Sequence, residues 1–152
     1  MAYLLDTGIL LRLANKHEPR YAGIRVAVAT LISRQEELFI TFQNFAEFCN
    51  VFTRPVANNG FGQPPATALY TFEHEIEPIC TILIETDAVY AQLKRLIHTY
   101  GVTGKQVHDA RLVAMMLAWQ VKNILTLNEQ DFRRYQSEGI TVVTPPSLIG
   151  LP

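Results

Sequence analysis

Short apolar runs alternate along this chain with longer stretches of helical period, and few folds accept that alternation. Ala2–Leu5, Leu38–Phe42, Cys80–Ile84, Asn123–Leu127 and Thr141–Val143 are mostly β-branched, aromatic or leucine. A strand with one wet face alternates polar and apolar residues; a continuous apolar run suits a strand covered on both faces, as in a parallel sheet. Between the runs lie amphipathic segments. Tyr21–Arg34 carries Ile24, Val28, Leu31 and Ile32 on one stripe, and Asn44–Phe52 carries Phe45, Phe48, Cys49 and Phe52. Pro65–Ile76 opens with a proline, which a helix tolerates in its first turn. Ala88–Thr99 and Val107–Val121 repeat the helical pattern. Strands alternating with helices predict an α/β class with a central, mostly parallel sheet of about five strands flanked by helices.

The chain has 152 residues, 49% of them apolar, enough for one domain spanning 1–152 with its own core. No internal repeat or low-complexity tract divides it, and Arg54–Pro65 (RPVANNGFGQPP) reads as an exposed loop. The formal net charge of -1 gives no global positive field and argues against a protein that coats duplex nucleic acid. Cys49 and Cys80 lack CxxC spacing and read as buried, reduced thiols. Met1-Ala2-Tyr3-Leu4-Leu5-Asp6 lacks the basic start of a signal peptide. No apolar run reaches the ~18 residues of a membrane span, so a soluble, cytoplasmic protein is expected.

The acids are distributed with more purpose than the charge total. Of only four aspartates, Asp6, Asp109 and Asp131 fall where α/β folds place ligands, outside the carboxyl ends of strands. Each has a plain structural reading as well: Asp6 as a helix N-cap, Asp109 as a carboxylate favoured in a first helical turn, Asp131 as a turn residue. Glu47 is harder to explain that way, because Phe42–Cys49 is nearly apolar around it and a buried carboxylate needs a partner. The alternative for Glu47 is a narrow wet stripe shared with Gln43 and Asn50. Asp87 reads as the start of the Ala88–Thr99 helix and carries no chemistry. Carboxylates converging on one point repel unless a cation intervenes. An oxygen-only set without histidine or cysteine at ligand spacing favours a hard cation, magnesium or manganese, over zinc, and such sites commonly serve phosphate chemistry.

These segments resemble a known family. Leu4-Leu5-Asp6-Thr7-Gly8-Ile9 resembles the opening strand and aspartate of PIN domains, and Phe45-Ala46-Glu47-Phe48 their helix-borne glutamate. His108-Asp109-Ala110-Arg111 resembles their later Asp-Ala motif, and Leu125–Phe132 followed by Gly139–Pro145 their C-terminal end. The likeness extends over nearly the whole chain, in order, and is nearest to the VapC-like toxins of bacterial toxin–antitoxin pairs. It implies a PIN-like fold, a Rossmann-like three-layer sandwich, and a Mg2+- or Mn2+-dependent endoribonuclease acting on single-stranded RNA. Asp6, Glu47 and Asp109 would be core metal ligands and Asp131 a fourth acid. Thr7 and Asn128 would orient ligands or substrate. The likeness also implies a homodimer and a cognate antitoxin. Gly8 departs from the small polar residue, often asparagine, common at that position. Arg12, Lys105 and Arg111 lie near the motifs in sequence and are candidate phosphate contacts; Arg133 reads as a solvated helix residue, and His108 as a helix-start residue rather than a base.

Other chemistries fit less well. Asp6-Thr7-Gly8 matches the aspartic protease signature, but those enzymes are β-dominated and need two such aspartates. A haloacid-dehalogenase-like phosphatase needs an aspartate where Gly8 stands, receiver domains need an acidic pair after the first strand, and no phosphate-cradling glycine loop occurs. The non-enzyme alternative is an inactive PIN fold that binds RNA or assembles with partners.

Overall fold

Alternate side chains of the apolar runs enter two separate cores, which is why those runs admit no polar face. In a computed structural model that describes residues 1–150, the runs form β1 (Ala2–Leu5), β2 (Glu37–Thr41), β3 (Thr81–Leu83), β4 (Asn123–Leu125) and β5 (Thr141–Val143). Residues 151 and 152 of the expected domain lie outside the described residues. The five strands make one sheet in the order β3-β2-β1-β4-β5, with every neighbouring pair parallel. Tyr3 and Leu5 of β1, Leu38 and Ile40 of β2 and Leu125 of β4 face one core. Leu4, Leu83 and Ile124 face the other. Complete burial of one such side chain stabilises the fold by about 1.5–3 kcal/mol.

Helices α1 (Thr7–Leu13), α2 (Tyr21–Ser33), α3 (Phe42–Thr53) and α4 (Pro65–Thr71) cover the first face, inserting Ile9, Ile24, Leu31, Phe48 and Ala68. Helices α5 (Asp87–Tyr100) and α6 (Gln106–Trp119) cover the second with Val89, Leu96, Val113 and Met116. Two short helices, α7 (Glu129–Phe132) and α8 (Pro145–Leu148), follow β4 and β5. The result is the α/β three-layer arrangement expected from the alternation.

Element ends differ from the sequence expectation where capping overrides hydrophobicity. Phe42 begins α3 instead of ending β2, because the Thr41 hydroxyl caps the Asn44 amide while the Asn44 side chain reaches back to the Thr41 amide. Phe42 is left 52% exposed. Beyond α4 the helix widens into a π turn over Phe72–Ile76. The Arg54–Pro65 segment is largely exposed but not slack: Gly60 N–H donates to Pro55 O (3.0 Å), Phe61 N–H to Val51 O (2.9 Å) and Gly62 N–H to Arg54 O (2.8 Å). Cys49 and Cys80 are free thiols as expected, but both are half-buried rather than fully enclosed; burial still pushes the Cys80 thiol up to about 12. Among the described residues no helix is long and apolar enough to cross a membrane.

Strand β1 lies at the sheet's centre, with β2 on one side and β4 on the other. The chain leaves β1 toward β2 and β3, then returns past β1 to β4, so strand order reverses beside β1. In parallel α/β sheets the crevice for ligands opens at such a reversal, outside the carboxyl ends of the strands.

Candidate functional site

Asp6 is the first residue past β1, and its amide continues the ladder by donating to Leu125 O (3.0 Å). It does cap α1: Oδ1 accepts from the Thr7 amide (2.8 Å). Oδ2 accepts from the Thr126 hydroxyl (2.6 Å), which in turn accepts from the Asn128 amide (2.9 Å). The carboxyl is 9% exposed, and burial drives its pKa above the ordinary aspartate range despite the Thr126 and Thr7 hydrogen bonds; the charges of Glu47 and Asp131 push the same way. Capping and ligand binding are compatible here, since each oxygen keeps a lone pair.

Glu47, one and a half turns into α3, is half-buried and held through both oxygens. Oε2 accepts from the Thr7 hydroxyl (2.7 Å), and Oε1 from Gln43 Nε2 (2.8 Å). Thr7 Oγ1 accepts from Asn44 Nδ2 (3.1 Å), and Asn44 Oδ1 accepts from the Thr41 amide (2.8 Å) and hydroxyl (2.9 Å). Thr41, Asn44, Thr7 and Gln43 are all buried, so this polar network inside the molecule is nearly saturated. The wet stripe with Gln43 and Asn50 does not exist: Gln43 is buried and only Asn50 is exposed.

Asp109 lies in the first turn of α6, half-buried, and Asp131 lies in α7, exposed. Burial pushes the Asp109 carboxyl up to about 7, reinforced by the charges of Asp131, Asp6 and Glu47 and opposed by Arg134. The four acids therefore sit within one electrostatic neighbourhood, although they come from four separated segments. Every ion pair among the described residues uses another acid: Glu18, Glu36, Glu85, Glu129 or Glu138. None of the four is thus in an ion pair, although Arg134 acts on Asp109, and Arg111 on Glu47, from beyond ion-pair distance. The donor set, oxygen alone and short of positive charge, suits a hard divalent cation in kind. It is not a closed cage: among the described residues no three His, Cys, Asp or Glu side chains stand close enough together to hold a metal ion. Asp87 is exposed in the first turn of α5, the helix start expected of it.

The basic candidates are mostly engaged elsewhere. Arg12 donates to Gly8 O (3.1 Å) and lies 3.8 Å from Glu18; its guanidinium passes 3.6 Å from where a Gly8 side chain would begin. Arg111 pairs with Glu85, and Arg133 with Glu129. Lys105 is exposed at the start of α6, and His108 is exposed while its carbonyl accepts from Gln43 Nε2 (2.8 Å). Asn128 is exposed at the start of α7, where its amide, not its side chain, joins the network. Sequence reasoning missed Thr126, Asn44 and Arg134, and placed Gln43 on a wet stripe. Two had a local signal: Asn44 its place three residues after Thr41 at a helix start, and Gln43 its place four residues before Glu47.

Residues 3–138 match the PIN domain family. The chain belongs to that family. Solved structures agree on the fold. The VapBC2 complex of Rickettsia felis, bound to a promoter DNA fragment, aligns with a TM-score of 0.69 at 16% identity, covering 95% of this PIN-domain chain and 98% of that one. The VapBC-1 complex of nontypeable Haemophilus influenzae aligns at 0.68 and 17% identity over 95% and 98%. VapC20 of Mycobacterium tuberculosis, a toxin that cleaves the sarcin–ricin loop, aligns at 0.62 and 11% identity over 91% and 96%. No curated protein matches this PIN-domain chain significantly.

Proposed function

We propose that this PIN-domain protein is a metal-dependent endoribonuclease that hydrolyses phosphodiester bonds of single-stranded RNA. The reading rests on one observation above the rest: four carboxylates from four distant segments share a neighbourhood at the carboxyl edge of the sheet, and none of them is in an ion pair. Asp6, Glu47, Asp109 and Asp131 would hold Mg2+ or Mn2+. Such an ion, when bound, supplies Lewis-acid polarisation of the phosphodiester and a more acidic water.

The chain's own residues do the positioning. Thr126 and the Thr7 amide fix the two Asp6 oxygens, and Thr7 and Gln43 fix those of Glu47, so these two carboxylates are oriented by the protein. Asp109 comes from α6, in the opposite layer, and Asp131 from α7, and the acids would draw together around the ion. Thr7 acts through Glu47; Asn128 stands beside Thr126 at the rim, where its exposed amide side chain can meet substrate. Lys105 is the phosphate-contact candidate that needs no release from a protein partner, whereas Arg12 and Arg111 would first have to give one up. The role of toxin restrained by an antitoxin draws support from the likeness to the VapBC complexes; a homodimeric state rests on the family resemblance alone.

Labelled single-stranded RNA incubated with purified protein tests the reaction. Cleavage is expected with Mg2+ or Mn2+ and not with EDTA, and Asp6→Asn and Asp109→Asn should each lower it by more than the ~10–100-fold typical of an outer partner. Cleavage that survives EDTA or both substitutions would overturn the reading. Absence of both cleavage and Mg2+ binding would favour a binding module.

A further inference from the structure

Gln43 combines three properties that packing alone does not explain. It is 7% exposed, on the first turn of α3, four residues before Glu47. Its Nε2 donates to Glu47 Oε1 and to the carbonyl of His108, each at 2.8 Å. Its Oε1 is buried with no hydrogen-bond partner. Both N–H groups are committed to acceptors, so the amide cannot turn over without setting its oxygen against them. An unpaired buried amide oxygen costs stability, and methionine, of similar length, would fill the space without that cost.

The two acceptors matter by their position. Helix α3 packs on one face of the sheet and α6 on the other, and their residues enter different cores. The Gln43–His108 bond is the one hydrogen bond joining α3 to α6 among the described residues, and it passes over the carboxyl edge. His108 immediately precedes Asp109. One amide nitrogen therefore ties the Glu47 carboxylate to the backbone that carries Asp109.

We infer that Gln43 is a positioning residue that sets the spacing between Glu47 and Asp109 across the sheet edge, and so the geometry with which the acids receive a divalent cation. The inference rests on the metal-dependent reading above and adds a residue to it. Gln43 touches neither substrate nor reacting atoms; it acts through Glu47 and the start of α6.

The test is Mg2+ binding by titration calorimetry, with Mg2+-dependent RNA cleavage and melting temperature measured alongside, on wild type, Gln43→Met and Gln43→Asn. Methionine keeps the volume without the donor; asparagine keeps the amide but is too short to reach both acceptors. Both variants should bind Mg2+ ~10-fold or more weakly. Their cleavage should be half-activated at correspondingly higher Mg2+ and recover toward the wild-type rate at saturation. If both folded variants bind Mg2+ as wild type does, or lose rate by the same factor at every Mg2+ concentration, Gln43 does not set the spacing and the metal reading stands. If wild type binds no Mg2+, the metal reading falls and takes this inference with it.

Discussion

Replacing Asp109 by asparagine should make the protein more stable at neutral pH without divalent cation, while removing its activity. The folded chain holds the Asp109 carboxyl at about 7 against an ordinary 3.8, because burial and then Asp131, Asp6 and Glu47 disfavour its charge. Between those two values the folded state binds the proton more tightly than the unfolded chain does. Stability from this group is therefore complete below 3.8, declines as pH rises toward about 7, and is level above. At ~1.4 kcal/mol per pH unit the full gap would correspond to about 4 kcal/mol. Asp109 is only half-buried, and solvent screening brings the expectation to about 1–2 kcal/mol. For a chain of this size that is about 2–8 °C in melting temperature. Melting curves of wild type and Asp109→Asn in EDTA, from about pH 4 to about pH 8.5, read the difference directly. The gap should be near zero at the acid end and widen to a plateau in favour of the variant. Mg2+ should then raise the melting temperature of wild type and leave the variant nearly unchanged. A variant melting at or below wild type at the alkaline end, or a gap independent of pH, would refute the electrostatic reasoning.

Two further substitutions test the supports around the site. Thr126→Val removes the hydroxyl that donates to Asp6 and accepts from Asn128, and should cost about 2–3 kcal/mol in denaturant unfolding; Thr126→Ser should recover most of it. Gly60→Ala would place a Cβ 1.9 Å from Arg54 O, so the Arg54–Gly62 turn must open, with a loss of roughly 2 kcal/mol or more in thermal or chemical unfolding.

The α/β layering was legible because it depends on pattern: five continuous apolar runs need two covering layers, and both cores use alternate residues of the same strands. Boundaries were less legible where a polar contact decides them, as at Phe42, whose bulk suits a strand but whose neighbours Thr41 and Asn44 cap a helix. The acids were recognisable from their places after strands and at helix starts. Their supports were not. Thr126 stands between two leucines and its partner Asp6 lies 120 positions away, while Gln43 meets Glu47 four positions on but finds its second acceptor, the His108 carbonyl, 65 positions away. Nothing local marks the long-range partners. Glu47 shows the limit from the other side: the need for a partner was visible, but two hydrogen-bond donors, Thr7 and Gln43, meet part of that need before any cation does.

The central place of β1 bears on when the site comes into being during synthesis. Asp6 is synthesised well before the groups that fix it, Leu125 O and the Thr126 hydroxyl, which are made some 120 residues later. Glu47 depends on the His108 region through Gln43. A nascent chain can form α1 to α3 early, but Asp6 lacks its Leu125 and Thr126 partners until β4 slides in beside β1. A parallel pairing of such long sequence separation forms slowly, so the supports of Asp6 are completed late relative to Asp6 itself. A chain cut short before β4 would carry three of the four acids without the partners that hold Asp6.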